Sequence, residues 1–452
     1  MVVGGLLAGG QAVLNARERA HEARFDDVAG VLAPMPEKLR ALWTASADGG
    51  RGPLDGTFDV EGHAVAVSTD GASYTIRSID RRTGRDAWTV TGRIDLPEKI
   101  LDAHADCLPL EVDAQIACVV EPAGVGPEPG RPIVVVIDAA TGVVIDRRSL
   151  DEELWAVGGG AIVTATSRTT GDQLIWTLDA RDAKGTQLWH RTLDPVTRSR
   201  SDRTLDDEHF DETALHVSGS RVVLTSSGVV RWLDDVVVKA ESDLPRDTST
   251  LLVNGALVRI SMKTTDMGAG TSVQSPTAFA LQPMGRAPAP IGGTPVRPAV
   301  DDGSANDLVL VRDTSGLLTA RDARTGRVRW ATPKGLDGAL ILDGTVYQVA
   351  GDPSLELVAR DADTGDVRWR HELAQSGWNS FQTLATDGRN VYAVEAGVVL
   401  PFRLEDGEPQ PERKLPFDPT TLPGLTADAT HGVLLVTPLD ANGNPTETTA
   451  IG

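Results

Sequence analysis

One stretch of the sequence gathers side chains able to bind a cation. SDRTLDDEHFDE, at 201–212, brings Asp206, Asp207, Glu208, His209, Asp211 and Glu212 close together along the chain. Carboxylates and an imidazole are the ligand types that hold divalent ions. The same run also reads as a solvated loop, and as a loop it is a place for partner contacts. DANGN, at 440–444, sets Asp440, Asn442 and Asn444 at the spacing that opens a calcium loop. No Glu closes it, so it reads as a hairpin turn. The two cysteines, Cys107 and Cys118, end the stretch DCLPLEVDAQIAC. Across a hairpin they would face each other, as a disulfide or as two buried thiols. Trp378, in QSGWN, reads as an exposed partner anchor or as a packing residue. The eight histidines are scattered, and no P-loop, His-Glu-x-x-His, Gly-x-Ser-x-Gly or Cys-x-x-Cys occurs. The sequence therefore predicts no catalytic, cofactor-binding or metal-ligating residues.

The formal net charge is −21 at pH 7. That argues against nucleic acid as a partner, because phosphate binding needs clustered Lys and Arg. It suits a soluble, self-repelling surface. A chain of 452 residues exceeds one ordinary core, but a closed repeat architecture escapes that limit by burying each unit against its neighbours.

The elements that must position any site are written in a repeat. IDRRTGRDAW (79–88), ARDARTGRVRW (320–330) and ARDADTGDVRW (359–369) keep one spacing. It is Asp80, Thr83, Gly84, Trp88; then Asp322, Thr325, Gly326, Trp330; then Asp361, Thr364, Gly365, Trp369. VIDAATGVVID keeps Asp138, Thr141 and Gly142 without the tryptophan, and ARDAKGTQLW is a shortened copy with Gly185 and Trp189. Asp accepts hydrogen bonds from turn N–H groups, and Gly takes the φ > 0 position that closes the hairpin. The next strand places Trp on the face that packs between sheets, so these tryptophans read as core. Alternating, β-branched runs such as GTVYQVAGDPSLELVARD place two more strands ahead of each turn. Each unit is then a four-stranded antiparallel meander, and radial packing hides both faces of each sheet.

Units fall at 50–92, 95–150, 152–193, 211–248, 249–295, 296–333, 337–374 and 379–415. A three-stranded remainder at 424–452 would take RALWTAS (40–46) as its missing outer strand, so that the chain ends close the ring together. Units 211–248 and 249–295 lack the Asp-Thr-Gly turn. The sequence thus predicts an all-β, eight-bladed β-propeller over 40–452, with seven and nine blades as alternatives. MKTTDMGAGTSVQSPT (262–277) reads as a flexible connection.

The N-terminus carries a different signal. Residues 2–14 are apolar or small, fewer than the roughly 20 needed to span a bilayer. They lack the basic region and cleavage site of a signal peptide. They resemble the outer half of a membrane helix. From Asn15 the chain becomes charged, with Phe25, Val28 and Leu32 at helical spacing before Pro34. Residues 1–34 are therefore expected to be a membrane-anchor and stalk helix, or else a short helix packed on a soluble propeller. The first reading makes the protein a single-pass cell-membrane protein with its propeller outside the cytoplasm.

The Asp-x-x-Thr-Gly-x-x-x-Trp copies resemble the tryptophan-docking motif of pyrroloquinoline quinone (PQQ) repeat proteins. The resemblance implies the propeller fold. One branch of that family, the quinoprotein alcohol dehydrogenases, binds the quinone on the axis with a calcium ion. The other is non-enzymatic and includes BamB-like assembly lipoproteins and anchored actinobacterial proteins. The adjacent-cysteine disulfide of the enzymes has no counterpart here, since Cys107 and Cys118 are eleven positions apart. No Glu/Asn/Asp calcium set carries over. The lipobox cysteine is missing too, which favours a helix anchor over a lipid. The resemblance implies a monomeric scaffold without PQQ or calcium, whose partner is a protein or cell-envelope component. A quinone- and calcium-dependent oxidoreductase with a scattered axial site, and a sensor ectodomain, are the alternatives.

Overall fold

The computed structural model describes residues 24–25, 28–46, 58–60, 63–96, 102–110, 114–123, 131–150, 154–197, 213–234, 236–245, 247–266, 272–351, 354–373, 381–395, 397–417, 424–429, 432–440 and 446–452. They form a β-propeller. Its blades are built on four antiparallel strands, consecutive in sequence except in blade 9, with first strands of successive blades lying side by side around the ring; Val196–Thr197 adds a short strand in blade 3 and Val300–Asp301 a short parallel one on Val328–Leu342.

Among the described residues there are nine such blades, one more than the eight predicted. Blades 1 to 5 span 58–93, 102–149, 154–197, 214–243 and 248–290. Blades 6 and 7 share the strand Val328–Leu342, which is the outermost strand of one and the innermost of the other. Blade 8 spans 381–414. Blade 9 takes its three inner strands from 424–451 and its outermost from Ala41–Ser46, which pairs antiparallel with Glu447–Ile451. The two units that lack the Asp-Thr-Gly turn are complete sheets nonetheless. Alternating side chains and tight turns suffice to build a meander, and the turn motif is not required for it.

The core is distributed around the ring. A separate cluster of buried apolar residues sits at each of the nine interfaces. Val65, Ile76, Ile116 and Val135 join blades 1 and 2, and Val163, Leu178 and Leu224 join blades 3 and 4. Ala64, Ile79, Val433, Leu435 and Ala450 join blade 9 back to blade 1. Each sheet thus hides both faces against its neighbours, which is how a chain of this length avoids one oversized core.

Two local expectations are corrected. The described residues of 262–277, which are 262–266 and 272–277, are strand and not a loop. Ala256–Asp266 and Ser272–Gln282 pair as a long hairpin, with Lys263 opposite Ser275 and Val273 opposite Thr265. Small polar residues suggested a loop, but Thr, Ser and Val alternate as a strand requires. Pro276 lies beside a register shift, and the next strand, Ala289–Pro290, is too short to reach it. Its missing N–H therefore removes no ladder bond on that edge.

Residues 28–40 form no helix. Val28 N donates to Phe25 O (3.0 Å) and Val31 N to Val28 O (3.2 Å), giving two successive turns before Pro34 and Pro36. Phe25, Leu32, Met35 and Leu39 are buried against blades 7, 8 and 9. The apolar spacing was a real buried stripe, and the propeller, not a helix, is what it packs on. Residues 1–23 lie outside the described residues. Among the described residues no helix is long and apolar enough to cross a membrane.

Candidate functional site: docking turns and two unlike faces

The repeat motif builds one joint, used several times. Asp80 accepts from Arg82 N (2.8 Å) and Thr83 N (3.1 Å). Asp138 accepts from Thr141 N (2.8 Å) and Thr141 Oγ1 (2.6 Å), and these bonds hold its carboxyl below the usual carboxylate range. Asp322 and Asp361 repeat the pattern with Thr325 and Thr364. The tryptophan docks on the turn of the next blade. Trp43 Nε1 donates to Arg81 O (2.7 Å), Trp88 to Ala139 O (2.7 Å), Trp330 to Ala362 O (2.8 Å) and Trp369 to Leu404 O (2.9 Å). In each case the acceptor belongs to the second residue of the turn. The glycine lies under the docked indole. A Cβ on Gly84, Gly142, Gly365 or Gly407 would come closer than 3.0 Å to the ring of the preceding blade's tryptophan. This glycine therefore supplies both the positive φ and the gap the ring occupies.

Two members of this set were not singled out from sequence. Trp43 is the tryptophan of blade 9, carried by the N-terminal strand. Gly407 closes a turn in which Arg403 stands where the other copies have Asp. The weaker copies differ in a consistent way. Blade 2 has Asp146 at the tryptophan position, and its Arg148 pairs with Asp146 beneath Gly185. Around Gly326 the nearest atoms belong to Ala289 and Pro283, 3.8 Å and more away. Trp189 is half-buried against the cluster between blades 3 and 4.

Arginines inside the motif complete the joint. Arg181, Arg321 and Arg360 each donate to the carbonyl of the turn glycine, at 3.1, 3.1 and 3.0 Å. Arg329, one residue before Trp330, bonds Asp307 and Asp322 and reaches Asp363 of blade 7 at 3.0 Å. Burial works against ionisation of Asp322, but hydrogen bonds from Arg329 and Thr325 outweigh it and lower its pKa to about 2. The hydrogen bond Arg329 donates to Asp307 raises the arginine's pKa by more than burial lowers it. Arg368 repeats the pairing with Asp361 at 2.9 Å.

Beside their apolar cluster, blades 4 and 5 share a set of polar contacts. Ser242, on the outer strand of blade 4, accepts from Arg259 Nη2 (3.1 Å) and Gln282 Nε2 (2.7 Å) of blade 5, and Arg259 Nε donates to Gln282 Oε1 (2.5 Å). Arg259 and Gln282 are buried. Nearby, His216 Nε2 lies 3.0 Å from Thr250 Oγ1, and burial lowers its pKa. A buried amide–guanidinium–hydroxyl set replaces the docked tryptophan here. No local spacing in the sequence announces it.

The two faces of the ring differ. On one, the turns between first and second strands are latched to one another. Asn254 Nδ2 donates to Leu308 O (2.6 Å), Asp343 N to Asp302 Oδ2 (2.7 Å) and Gly344 N to Ser304 Oγ (2.7 Å). Across blades 7 to 9 this face is covered by the N-terminal arm. Leu32 N donates to Thr386 O (2.7 Å), Arg413 Nη1 to Met35 O (2.8 Å), and Arg24 pairs with Asp343 (3.5 Å). The opposite face carries the longer connections and two tall hairpins. The second and third strands of blades 3 and 5 run Ala161–Thr170 with Gln173–Arg181, and Ala256–Asp266 with Ser272–Gln282. Those of blade 4, between them, are only Arg221–Ser226 and Val229–Asp234. At about 3.3 Å per residue, the flanking hairpins stand roughly 13–16 Å above it. The predicted partner residues Asp206, Asp207, Glu208, His209, Asp211 and Trp378, and the turn residues Asn442 and Asn444, lie outside the described residues.

Residues 280–434 match the family described as outer membrane protein assembly factor BamB. That stretch carries PQQ-like propeller repeats. No curated protein matches the sequence. Among solved structures, BamB from Moraxella catarrhalis is 15% identical, with 91% of this chain and 99% of that chain covered and a TM-score of 0.34. Quinohemoprotein alcohol dehydrogenase ADHIIG from Pseudomonas putida HK5 is 11% identical, with 96% and 81% covered and a TM-score of 0.36. The quinohemoprotein alcohol dehydrogenase of Comamonas testosteroni is 12% identical, with the same coverage and TM-score.

PQQ-like repeats raise the question of whether the residues present suit the quinone and its calcium. Among the described residues no three His, Cys, Asp or Glu side chains converge to hold a metal ion. Cys107 and Cys118 are bonded to each other across the first two strands of blade 2, with Cα atoms 4.0 Å apart. Both are buried in the cluster between blades 1 and 2. A cross-strand bridge sealed between two sheets offers no surface for a quinone to stack on. The described residues do not fit the group, and no chemical step is derived through it.

Proposed function

We propose that this PQQ-like propeller is a non-catalytic protein-interaction scaffold, held outside the cytoplasm by a tether that precedes residue 24. The match of residues 280–434 to the BamB assembly-factor family carries this reading. The division of labour between the faces supports it. One face is taken up by latched turns and the chain's own arm, so the partner surface is the opposite face, with the hairpins of blades 3 and 5. The net charge of −21 favours a partner segment of neutral or basic character. The Cys107–Cys118 bond suits an oxidising compartment. A tether upstream of the arm would turn the latched face toward the membrane and the hairpins away from it.

Site-specific photo-crosslinking in cells tests this. Probes at Asp172, Asp194 and Lys263, exposed on the hairpin face, are expected to capture one protein. Probes at Arg82 and Asp363, exposed on the latched face, are expected to capture none. Equal capture from both faces, or none from either, would refute the assignment. Incubation with PQQ and calcium tests the oxidoreductase alternative: a bound chromophore with a raised Tm would overturn the non-catalytic reading.

A further inference from the structure

Between blades 6 and 7 stands a buried amide that no described protein group satisfies. Gln348 lies in Thr345–Ala350, the second strand of blade 7, and is 1% exposed. Neither its Oε1 nor its Nε2 has a hydrogen-bond partner among the described residues. Val346, two positions earlier, packs with Leu310, Leu318 and Trp330 of blade 6. Strand alternation puts Gln348 on that same face. Exchanging the amide's O and N changes nothing, because both are unpaired. Burying a primary amide in this state is costly enough that native structures rarely tolerate it.

The innermost strand widens at the same place. Ala339 pairs with Gln348 and Gly335 with Ala350, so residues 336–338 together oppose Val349 alone. Gly338 takes φ 94° to allow it. A bulge of this kind takes backbone N–H and C=O groups out of the ladder, and here it lies on the strand paired with that of the amide.

We propose that Gln348 and this bulge form a polar site that holds one ordered water between blades 6 and 7. The surroundings select its ligand. Val346, Leu310 and Leu318 are apolar and Gln348 is neutral, so no ion is stabilised. A water both donates and accepts, as the two ends of the amide require, and its remaining bonds go to the backbone freed by the bulge. The site lets the inner strand depart from its ladder without leaving orphaned groups.

Gln348→Met, which keeps volume and removes both polar atoms, gives opposite signs for the two cases. If the site holds water, the variant strands the bulge backbone and lowers Tm by about 1–3 °C, with faster amide exchange at 335–339. If the amide is merely buried and unpaired, the variant relieves it, and an unchanged or raised Tm overturns the proposal. A crystal structure of the unmodified protein, at a resolution that shows ordered water, decides the matter even if the variant folds poorly. Density about 3 Å from both amide atoms supports the site. An amide bonded to a protein group, or no density beside it, refutes it.

Discussion

Gly365→Ala isolates the docking joint from the turn that carries it. Gly365 has φ +76°, and a Cβ there would collide with Trp330 Cγ and Cβ. Gly171, in the second hairpin turn of blade 3, has φ +65° and nothing within 4 Å of where a Cβ would stand. Both substitutions carry the left-handed penalty of about 1–2 kcal/mol. Only Gly365→Ala must also push the indole aside. That breaks the 2.8 Å bond from Trp330 to Ala362 O, worth about 0.5–1.5 kcal/mol, and overpacks the interface by about 1–3 kcal/mol. The expected costs are about 2.5–6.5 kcal/mol for Gly365→Ala and about 1–2 kcal/mol for Gly171→Ala. Urea unfolding followed by far-ultraviolet circular dichroism measures both. Replacing Trp330 by Ala should bring the cost of Gly365→Ala down to that of Gly171→Ala, because the ring is no longer there to displace. Equal costs for the two glycine variants, or strict additivity of Trp330→Ala with Gly365→Ala, would show that the glycine serves the turn alone.

Trp43→Ala should loosen the seam where the chain ends meet. Hydrogen exchange is expected to quicken in 41–46, 447–451 and the 80–84 turn while blades 4 and 5 stay as they were; uniform quickening around the ring would argue against a seam. Arg329→Met should move acid unfolding to higher pH. Asp322 sits at about 2, below its ordinary 3.8, so its contribution is present above about pH 4 and is lost as pH falls toward 2, amounting to about 1–2 kcal/mol after solvent screening. An unchanged acid midpoint would count against the pairing. The double substitution Cys107→Ala with Cys118→Ala should lower stability by about 2–3 kcal/mol, the value for closing so short a loop, and equal stability in urea would exclude a stapling role.

The joint was legible wherever its chemistry is local. Asp80 with Gly84, or Asp361 with Gly365, form one turn within six residues, so spacing alone reveals them. The tryptophan's partner lies a whole blade away, and its rank as core followed from size, whereas its acceptor carbonyl did not. Trp43 was legible as part of a closing strand but not as a docking residue, because no Asp-Thr-Gly turn precedes it along the chain: the other three strands of its blade come from the opposite end. Ser242, Gln282 and Arg259 were illegible, since a buried hydrogen-bond set from three strands has no period. The helix expected from Phe25, Val28 and Leu32 was misplaced for a related reason. A buried stripe fixes which residues face inward, but the shape of the propeller and two prolines set the backbone beneath it.

The strand Val328–Leu342 leaves no connecting loop between blades 6 and 7. The chain ends, by contrast, meet by pairing inside blade 9, Ala41–Ser46 against Glu447–Ile451. A ring of rigid plates bends only at its joints, and a single backbone, the Arg329 bridge and the Trp330 dock all cross the one between blades 6 and 7. Blades 6 and 7 therefore move as one double-width plate. Any twist imposed on the ring by a bound partner must be taken up at the other interfaces.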